Sequence, residues 1–196
     1  MSINLSKGQK IDLTKDNSSL TELMVGLGWD AAKGGFVSSL FSNSNTRNID
    51  CDASVFLVNE NHKLRETVSY QRLKSSCGSI KHQGDNLTGE GDGDDEQIKI
   101  SLSKIPSSIH KLVFVVNIYN CVSRCQHFGM IKNAFIRLVD VNINKELAKF
   151  NLTEDGKDKT ALTLGEVYRC NGEWNFKAIG EFTNDKSISD LERKYR

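Results

Sequence analysis

The chain has 196 residues, 38% of them hydrophobic, and a net charge of +1 from 26 basic and 25 acidic side chains. This is enough apolar sequence for one core, so we expect residues 1–196 to form a single domain, and no apolar run predicts a transmembrane segment or signal peptide. The basic residues are scattered singly, which argues against a nucleic-acid partner.

The first predicted elements are short strands at Leu23–Leu27 and Ala53–Val58, separated by a polar excursion over residues 30–48. Ile98–Leu102 alternates apolar and polar residues, as a strand with one face in water does. Leu112–Tyr119 is apolar on both faces, which is typical of a central strand.

Further strands are expected at Phe135–Val139, Ala161–Tyr168 and Trp174–Ile179. Asn171-Gly172 predicts a hairpin turn between the last two, because both residues tolerate positive φ. The capping pattern Ser189-Asp190-Leu191-Glu192 predicts a short C-terminal helix. Roughly eight strands at such spacings predict a mainly β fold, a two-sheet antiparallel β-sandwich with long loops.

The segment Gly84–Glu96 holds six carboxylates, one carboxamide and four glycines, with no Lys or Arg. Like charges this close repel, and without its six acids the chain keeps 26 basic residues against 19 acidic. Hard oxygen donors select hard cations, Ca²⁺ before Mg²⁺ or Mn²⁺, and the glycines let the backbone curl round an ion. The alternative is a solvated acidic surface loop.

Two other interpretations of this segment fail. An EF-hand loop needs a glycine where Asp95 stands, and its flanks lack paired amphipathic helices. A phosphate-binding glycine loop needs a Lys, and the carboxylates here would repel phosphate.

Asp50-Cys51-Asp52 opens the strand at Ala53–Val58. Alternation along a strand puts Asp50 and Asp52 on the same side, so both can face one ion, while Cys51 points away. The pattern by itself is also typical of a turn.

The cysteines favour neither zinc nor disulfides. Five in number and irregularly spaced, they suit the reducing cytoplasm. Cys121-x₃-Cys125-x-His127 lacks a second ligand pair, so we interpret these thiols as buried or idle. No nucleophile elbow and no apolar pocket for a catalytic acid is recognisable, so we predict that the protein is not an enzyme.

Several segments together resemble the TerD family of tellurium-resistance and stress-response proteins, over residue 3 to about 183. They include Leu5–Gln9, Gly26–Asp30, Asp50–Ser54, the Gly84–Glu96 segment and Asn171–Ala178. Gly84-Asp85-Asn86-Leu87-Thr88-Gly89 and the excursion from Lys33-Gly34-Gly35-Phe36 are most similar to the TerZ branch.

The resemblance implies a cytoplasmic, calcium-binding β-sandwich with no enzymatic activity established. The family's calcium ligands carry over to Asp50, Asp52, Asp85, Asn86, Glu90, Asp92, Asp94, Asp95 and Glu96. Cys51 is a departure, since Leu is more usual between the two aspartates. The partners expected are other tellurium-resistance proteins, a membrane-embedded one among the candidates, which would place the protein at the inner membrane face.

Eight of these nine side chains are carboxylates, which favours two Ca²⁺ ions in adjacent sites over one. The interpretation is a calcium-responsive module of a tellurite-resistance or stress-response system, in which calcium rigidifies a surface that partners bind. Two alternatives stay open, a metal-dependent hydrolase that uses a bound water and a passive calcium buffer.

Overall fold

Two six-stranded sheets face each other in the computed structural model, which describes residues 2–15, 17–31, 49–84 and 93–196. In those ranges no helix is long and apolar enough to cross a membrane. The described residues form twelve strands. These are β1 (Ile3–Leu5), β2 (Lys10–Asp12), β3 (Glu22–Ala31), β4 (Cys51–Val58), β5 (Leu64–Val68), β6 (Ile80–His82), β7 (Glu96–Ser101), β8 (Lys111–Ile118), β9 (Ile131–Asp140), β10 (Lys145–Asn151), β11 (Ala161–Cys170) and β12 (Glu173–Thr183).

Sheet I has the strand order β1-β10-β9-β3-β7-β6, and sheet II has the order β2-β12-β11-β8-β4-β5. The predicted two-sheet sandwich is confirmed. Every strand pair is antiparallel except β1 with β10, which run parallel. The expected number of about eight strands was too low, because β10 and the four edge strands β1, β2, β5 and β6 escaped notice. Edge strands can be short and polar, so they carry little periodic signal.

The core lies between the sheets. On β7, Ile98 and Ile100 are fully buried whereas Lys99 is exposed, as the alternation predicted. They join one apolar cluster with Leu23 and Val25 of β3 and with Phe114 of β8 in the opposite sheet. Burial of one face of each sheet therefore holds the two layers together.

Strands β4 and β8 are buried on both faces, which explains the unbroken apolar run at Leu112–Tyr119. Their outward side chains, including Phe56 and Val115, form a second apolar cluster outside the sandwich. The chain's last residues cover it, since Leu191 is 1% exposed and Tyr195 packs edge-on against Phe56, with ring centroids 5.7 Å apart. The same burial raises the pKa of Tyr195 to about 12.

Helices are few and short. The C-terminal helix α2 (Ile188–Glu192) is present as predicted, but its N-cap is Ser187 and not Ser189. Ser187 Oγ accepts a hydrogen bond from Asp190 N at 3.2 Å. Helix α1 (Cys121–Arg124) follows β8. Single turns of 3₁₀-helix lie at Leu102–Lys104, Phe128–Met130 and Arg193–Tyr195.

The hairpin predicted at Asn171-Gly172 is confirmed. Both residues have positive φ, 52° and 84°, and the flanking Cys170 and Glu173 pair across β11 and β12. Asparagine and glycine adopt this left-handed conformation with the least strain.

We predict that Leu191→Ala lowers the free energy of unfolding by about 3 kcal/mol, because it removes a buried side chain from the second apolar cluster. Urea unfolding measures this loss. The matched control is Leu73→Ala, at a position that is 45% exposed, where the change should stay within about 0.5 kcal/mol. Equal effects of the two substitutions would show that the C-terminal segment contributes little to the fold.

Candidate metal-binding end of the sandwich

The acidic candidates meet at one end of the sandwich, where β3 and β8 end and β4, β7 and β9 begin; we call it the site end. Backbone hydrogen bonds hold the last part of the Gly84–Glu96 segment there. Asp95 N donates to Leu27 O at 2.8 Å, and Trp29 N donates to the Asp95 carboxylate at 2.7 Å. The exit of the acidic segment is therefore built onto the end of β3.

Glu96 links the two sheets. Its side chain is almost fully buried, and Oε2 accepts a hydrogen bond from Ala53 N of β4 at 3.0 Å. The same oxygen lies 3.0 Å from Nε2 of His82, which is also buried. Gly84 N donates to Nδ1 of His82 at 3.2 Å, so Nδ1 is the acceptor and the proton sits on Nε2. His82 is thus a neutral donor to the Glu96 carboxylate.

Asp94 points the other way, to the outer face of sheet I. Both of its oxygens bind Arg137 of β9, Oδ1 to Nε at 2.6 Å and Oδ2 to Nη2 at 2.9 Å. Gln97 Nε2 adds a third hydrogen bond at 3.1 Å. The hydrogen bonds that Arg137 donates to Asp94 raise the pKa of Arg137, and Glu146 adds to the effect. This bidentate contact is a strong type of ion pair.

The glycine at position 26 makes room for Asp94. A Cβ on Gly26 would lie 2.3 Å from the Asp94 carboxylate, and one on Gly28 would lie 2.7 Å from Gly93 O. Any larger residue would push the acidic segment off β3. The Gly-x-Gly spacing in this strand therefore serves close approach of the segment and not a turn.

The environment of Asp95 differs from those of its neighbours Asp94 and Glu96. Burial is the main cause that raises the pKa of its carboxyl, and the nearby Asp30 and Asp94 add to it. The hydrogen bond from Trp29 N acts in the opposite direction. A carboxylate kept charged here costs free energy, which a nearby cation would offset.

Asp50 and Asp52 reach the site end from β4. Cys51, Ala53 and Val55 belong to the core between the sheets, whereas Phe56 lies on the outer face. Asp52 therefore points away from Cys51, as alternation predicted.

The pKa of the buried Cys51 thiol is affected by carboxylates from both acidic segments. Burial is the first cause that raises its pKa well above the usual value. The negative charges that add to the effect belong to Glu96, Asp52, Asp50 and Asp95. Charges from both segments of the predicted ligand set therefore act on this thiol, which stays protonated.

Only part of the predicted ligand set can be placed. Asp50, Asp52, Asp94, Asp95 and Glu96 all lie at the site end, whereas Asp85, Asn86, Glu90 and Asp92 lie outside the described residues. Across the described ranges, no three His, Cys, Asp or Glu side chains come close enough together to hold a metal ion. A complete coordination shell would therefore need donors from residues 85–92. The five placed side chains are all carboxylates, whose oxygens fit a hard cation.

Sequence reasoning missed the partners that orient these acids. The sequence gives no sign that His82 and Arg137 contact these acids, and Gly26 appears there only as part of the Gly26–Asp30 segment. Each comes from a strand far along the chain, and nothing in its local pattern marks the contact. The five cysteines are all free, with Cys51 and Cys121 buried.

Comparison with known proteins decides the family. The family model described as the TerD domain matches residues 1–195. The chain belongs to the TerD family. Stress response protein SCP2 of Bacillus subtilis (strain 168) is 52% identical over 100% of both chains. Tellurium resistance protein TerD of Serratia marcescens is 45% identical over 92% of this chain and 91% of its own.

Tellurium resistance protein TerZ of Serratia marcescens is 40% identical, over 96% of this chain and 94% of its own. The family expected from the sequence is confirmed, although these identities do not favour the TerZ branch over TerD. A solved homologue of telluride resistance protein TerD from Streptomyces coelicolor A3(2) shares the fold, with a TM-score of 0.69 and 19% identity. That alignment covers 87% of this chain and 94% of the other.

We predict that Arg137→Met lowers the free energy of unfolding by about 3 kcal/mol, because the buried Asp94 carboxylate would lose its counter-charge. Urea unfolding in EDTA measures the loss without any contribution from metal. Adding Asp94→Asn to the variant should recover most of the lost stability, since the buried charge is then gone.

The control is Lys99→Met, which removes the same charge from an exposed position on β7, in the same sheet. It should change stability by no more than about 0.5 kcal/mol. If the double variant were as unstable as Arg137→Met alone, the ion pair would not be the cause.

Proposed function

We propose that the protein is a cytoplasmic, non-enzymatic calcium-binding module of a tellurite-resistance or stress-response system, acting through calcium-dependent partner binding. The observation that carries the proposal is the hydrogen bond from Ala53 N to Glu96, which links the exit of a segment with six carboxylates and no base to the strand that Asp50 and Asp52 open. The relatives named for tellurium resistance and stress response support the biological setting.

In this proposal, Asp50, Asp52 and Asp95 hold one or two Ca²⁺ ions together with Asp85, Asn86, Glu90 and Asp92. Asp94 and Glu96 also belong to the proposed set, and their contacts within the protein orient it. The contact of Asp94 with Arg137 and that of Glu96 with Ala53 N hold the segment in place. Oxygen donors on a glycine-rich backbone suit the long, variable bonds of Ca²⁺ better than the tight octahedron of Mg²⁺.

In this proposal, Asp50 transmits the effect of calcium binding to the protein surface. Its backbone oxygen accepts a hydrogen bond from Tyr119 N at 2.8 Å, and its carboxylate lies 3.8 Å from Arg124 Nη1. Arg124 in turn lies over the ring of Tyr119, 5.6 Å from the centroid. An ion that draws the Asp50 carboxylate inward would release Arg124, and so change the surface around α1.

That surface, Tyr119–Cys125, has the exposed apolar character of a docking site. Val122 is 61% exposed and Tyr119 is 39% exposed. We place the partner contact there, with other tellurium-resistance proteins as the partners, including a membrane-embedded one that would bring the module to the inner membrane face.

A metal-dependent hydrolase is the weaker alternative. It needs a base beside an ion-bound water. His82 lies close to the acidic cluster, but one of its ring nitrogens accepts from Gly84 N and the other donates to Glu96. The names of the relatives also point to resistance and stress response and not to a reaction.

The double substitution Asp50→Asn and Asp52→Asn should abolish or greatly weaken the binding of at least one Ca²⁺, because it removes two charges and leaves the Gly84–Glu96 segment intact. Isothermal titration calorimetry with Ca²⁺, and with Mg²⁺ for comparison, measures this. In the unaltered protein Ca²⁺ should bind clearly more tightly than Mg²⁺.

The matched control is Asp155→Asn with Asp158→Asn, which removes two charges from the distant turn before β11. It should leave calcium affinity unchanged. Calcium affinity of the Asp50/Asp52 variant equal to that of the unaltered protein would show that the acidic segment binds the ion by itself.

Val122→Glu should abolish calcium-dependent binding of tellurium-resistance partners while calcium affinity stays the same, since the substitution places a charge on the α1 surface. Pull-down with and without Ca²⁺, with the bound proteins identified by mass spectrometry, measures this. Ile143→Glu is the control, at another exposed apolar residue, 63% exposed, in the turn between β9 and β10. The same bound proteins with and without Ca²⁺ would favour the passive buffer.

A further inference from the structure

A pocket lies on the outer face of sheet II, where β5 and β8 meet the chain around α2. Its volume is about 310 Å³. The walls come from three separate segments of the chain. Among the lining residues are Thr67, Ser69, Arg72, Asn117, Tyr119 and Lys186. Apart from Tyr119, none of these residues takes part in the calcium proposal.

Asn117 has an unsatisfied acceptor at this pocket. The residue is 4% exposed, and its Oδ1 is buried without a hydrogen-bond partner. Buried amide oxygens are nearly always paired, because an unpaired one has lost its water and gained nothing in return. An acceptor in this condition on a pocket wall indicates a ligand that donates an O–H or N–H.

Ser54 is a second buried polar residue on the same outer face of sheet II. Its Oγ is also buried without a partner, and the residue is 0% exposed. Ser54 lies on the outer side of β4, two residues beyond Asp52, which pairs directly with Asn117 across β4 and β8. Next along the same face come Phe56 and Val115 of the second apolar cluster. The outer face thus changes from apolar to polar where the pocket lies.

The rim carries positive charge. Lys186 forms no ion pair with any residue that the structure describes. Arg72 is 2.9 Å from Glu66 and its side chain is about half exposed. The one acid that lines the pocket, Glu192, is engaged by Thr67 Oγ1 at 2.7 Å and by Arg196. An anion would therefore be attracted to this rim.

Two aromatic rings complete the wall. Tyr70 and Tyr119 pack edge to face, with centroids 6.4 Å apart, and both line the pocket. Flat faces beside a hydrogen-bonding floor are typical of sites for small polyols, whose C–H groups pack on rings while their hydroxyls bind polar atoms.

We propose that this pocket binds a small polyol that carries a phosphate group. The phosphate pairs with Lys186 and Arg72, and a hydroxyl donates to Asn117 Oδ1. A free polyol phosphate and the headgroup of a glycerol-based anionic lipid share this chemistry. Binding depends on residues other than the calcium ligands, so it occurs in EDTA as well as in Ca²⁺.

The test uses the full chain and three probes, glycerol 3-phosphate, inorganic phosphate and glycerol, titrated by calorimetry and by amide chemical shifts. Glycerol 3-phosphate should bind and shift the side-chain amide signal of Asn117. Inorganic phosphate and glycerol should each bind at least about tenfold more weakly than glycerol 3-phosphate. Phosphate contacts only the charged rim, and glycerol contacts only the polar floor. No binding of glycerol 3-phosphate, or equal binding of it and inorganic phosphate, would overturn the proposal.

Two variants separate binding from structure. Asn117→Leu removes the acceptor at similar volume, and Lys186→Met removes the rim charge. Each substitution should weaken the binding of glycerol 3-phosphate at least about tenfold. The control Lys99→Met, on the far sheet, should leave binding unchanged. Asn117→Leu should keep or raise the melting temperature, since Oδ1 is unpaired in the free protein. A lower melting temperature with unchanged binding would assign Asn117 a structural role and overturn the proposal.

The source of the ligand is decided by flotation with vesicles of phosphatidylglycerol against vesicles of phosphatidylcholine. Capture by phosphatidylglycerol that Lys186→Met abolishes would support a lipid headgroup. Binding of glycerol 3-phosphate without vesicle capture would support a free metabolite. Vesicle capture that neither variant changes, in a protein that does not bind glycerol 3-phosphate, would contradict the pocket assignment.

Discussion

The carboxylate of Glu96 is the contact on which the site end depends. It belongs to β7 of sheet I, yet it accepts a hydrogen bond from Ala53 N at the start of β4 in sheet II, and His82 donates to the same oxygen. A buried charge is tolerated only where donors replace its lost water. These two donors therefore fix the exit of the acidic segment relative to Asp50 and Asp52. This contact directly links the two halves of the proposed calcium site.

Three consecutive acids illustrate how the fold distributes charge. Asp94 lies against Arg137 outside sheet I, Asp95 accepts from Trp29 N at the end of β3, and Glu96 points between the sheets. Each therefore has a different environment although all three are neighbours in sequence. The ion pair removes one negative charge from the cluster. A cation bound at the site end would compensate the charges that remain.

The outer face of sheet II joins the two proposed functions. At one end it is apolar and covered by the C-terminal segment through Leu191 and Tyr195. Toward the site end the face becomes polar, at Ser54 and Asn117. Asn117 pairs with Asp52 across β4 and β8. A pocket and an ion site on adjacent residues can influence each other through small shifts of β4 and β8. The outer face of sheet II is therefore covered by the C-terminal segment at its apolar end and carries the proposed ligand pocket at its polar end.

The sequence by itself determined the fold class, the central strands, the hairpin turn and the two acidic segments, because these depend on local periodicity, turn chemistry and charge density. The long apolar run at Leu112–Tyr119 was sufficient to predict a strand buried on both sides. The four edge strands were missed since an edge needs few apolar residues.

Only the tertiary structure decided which residues meet. Arg137 faces Asp94, His82 faces Glu96, and Asn117 faces the outer pocket, although the members of the first pair are 43 residues apart. Strand pairing between distant segments creates these contacts, and side chains on a strand give no local sign of what lies on the next strand. Hydrophobic alternation records which face of a strand is buried, but the partner on that face depends on the order in which the strands assemble.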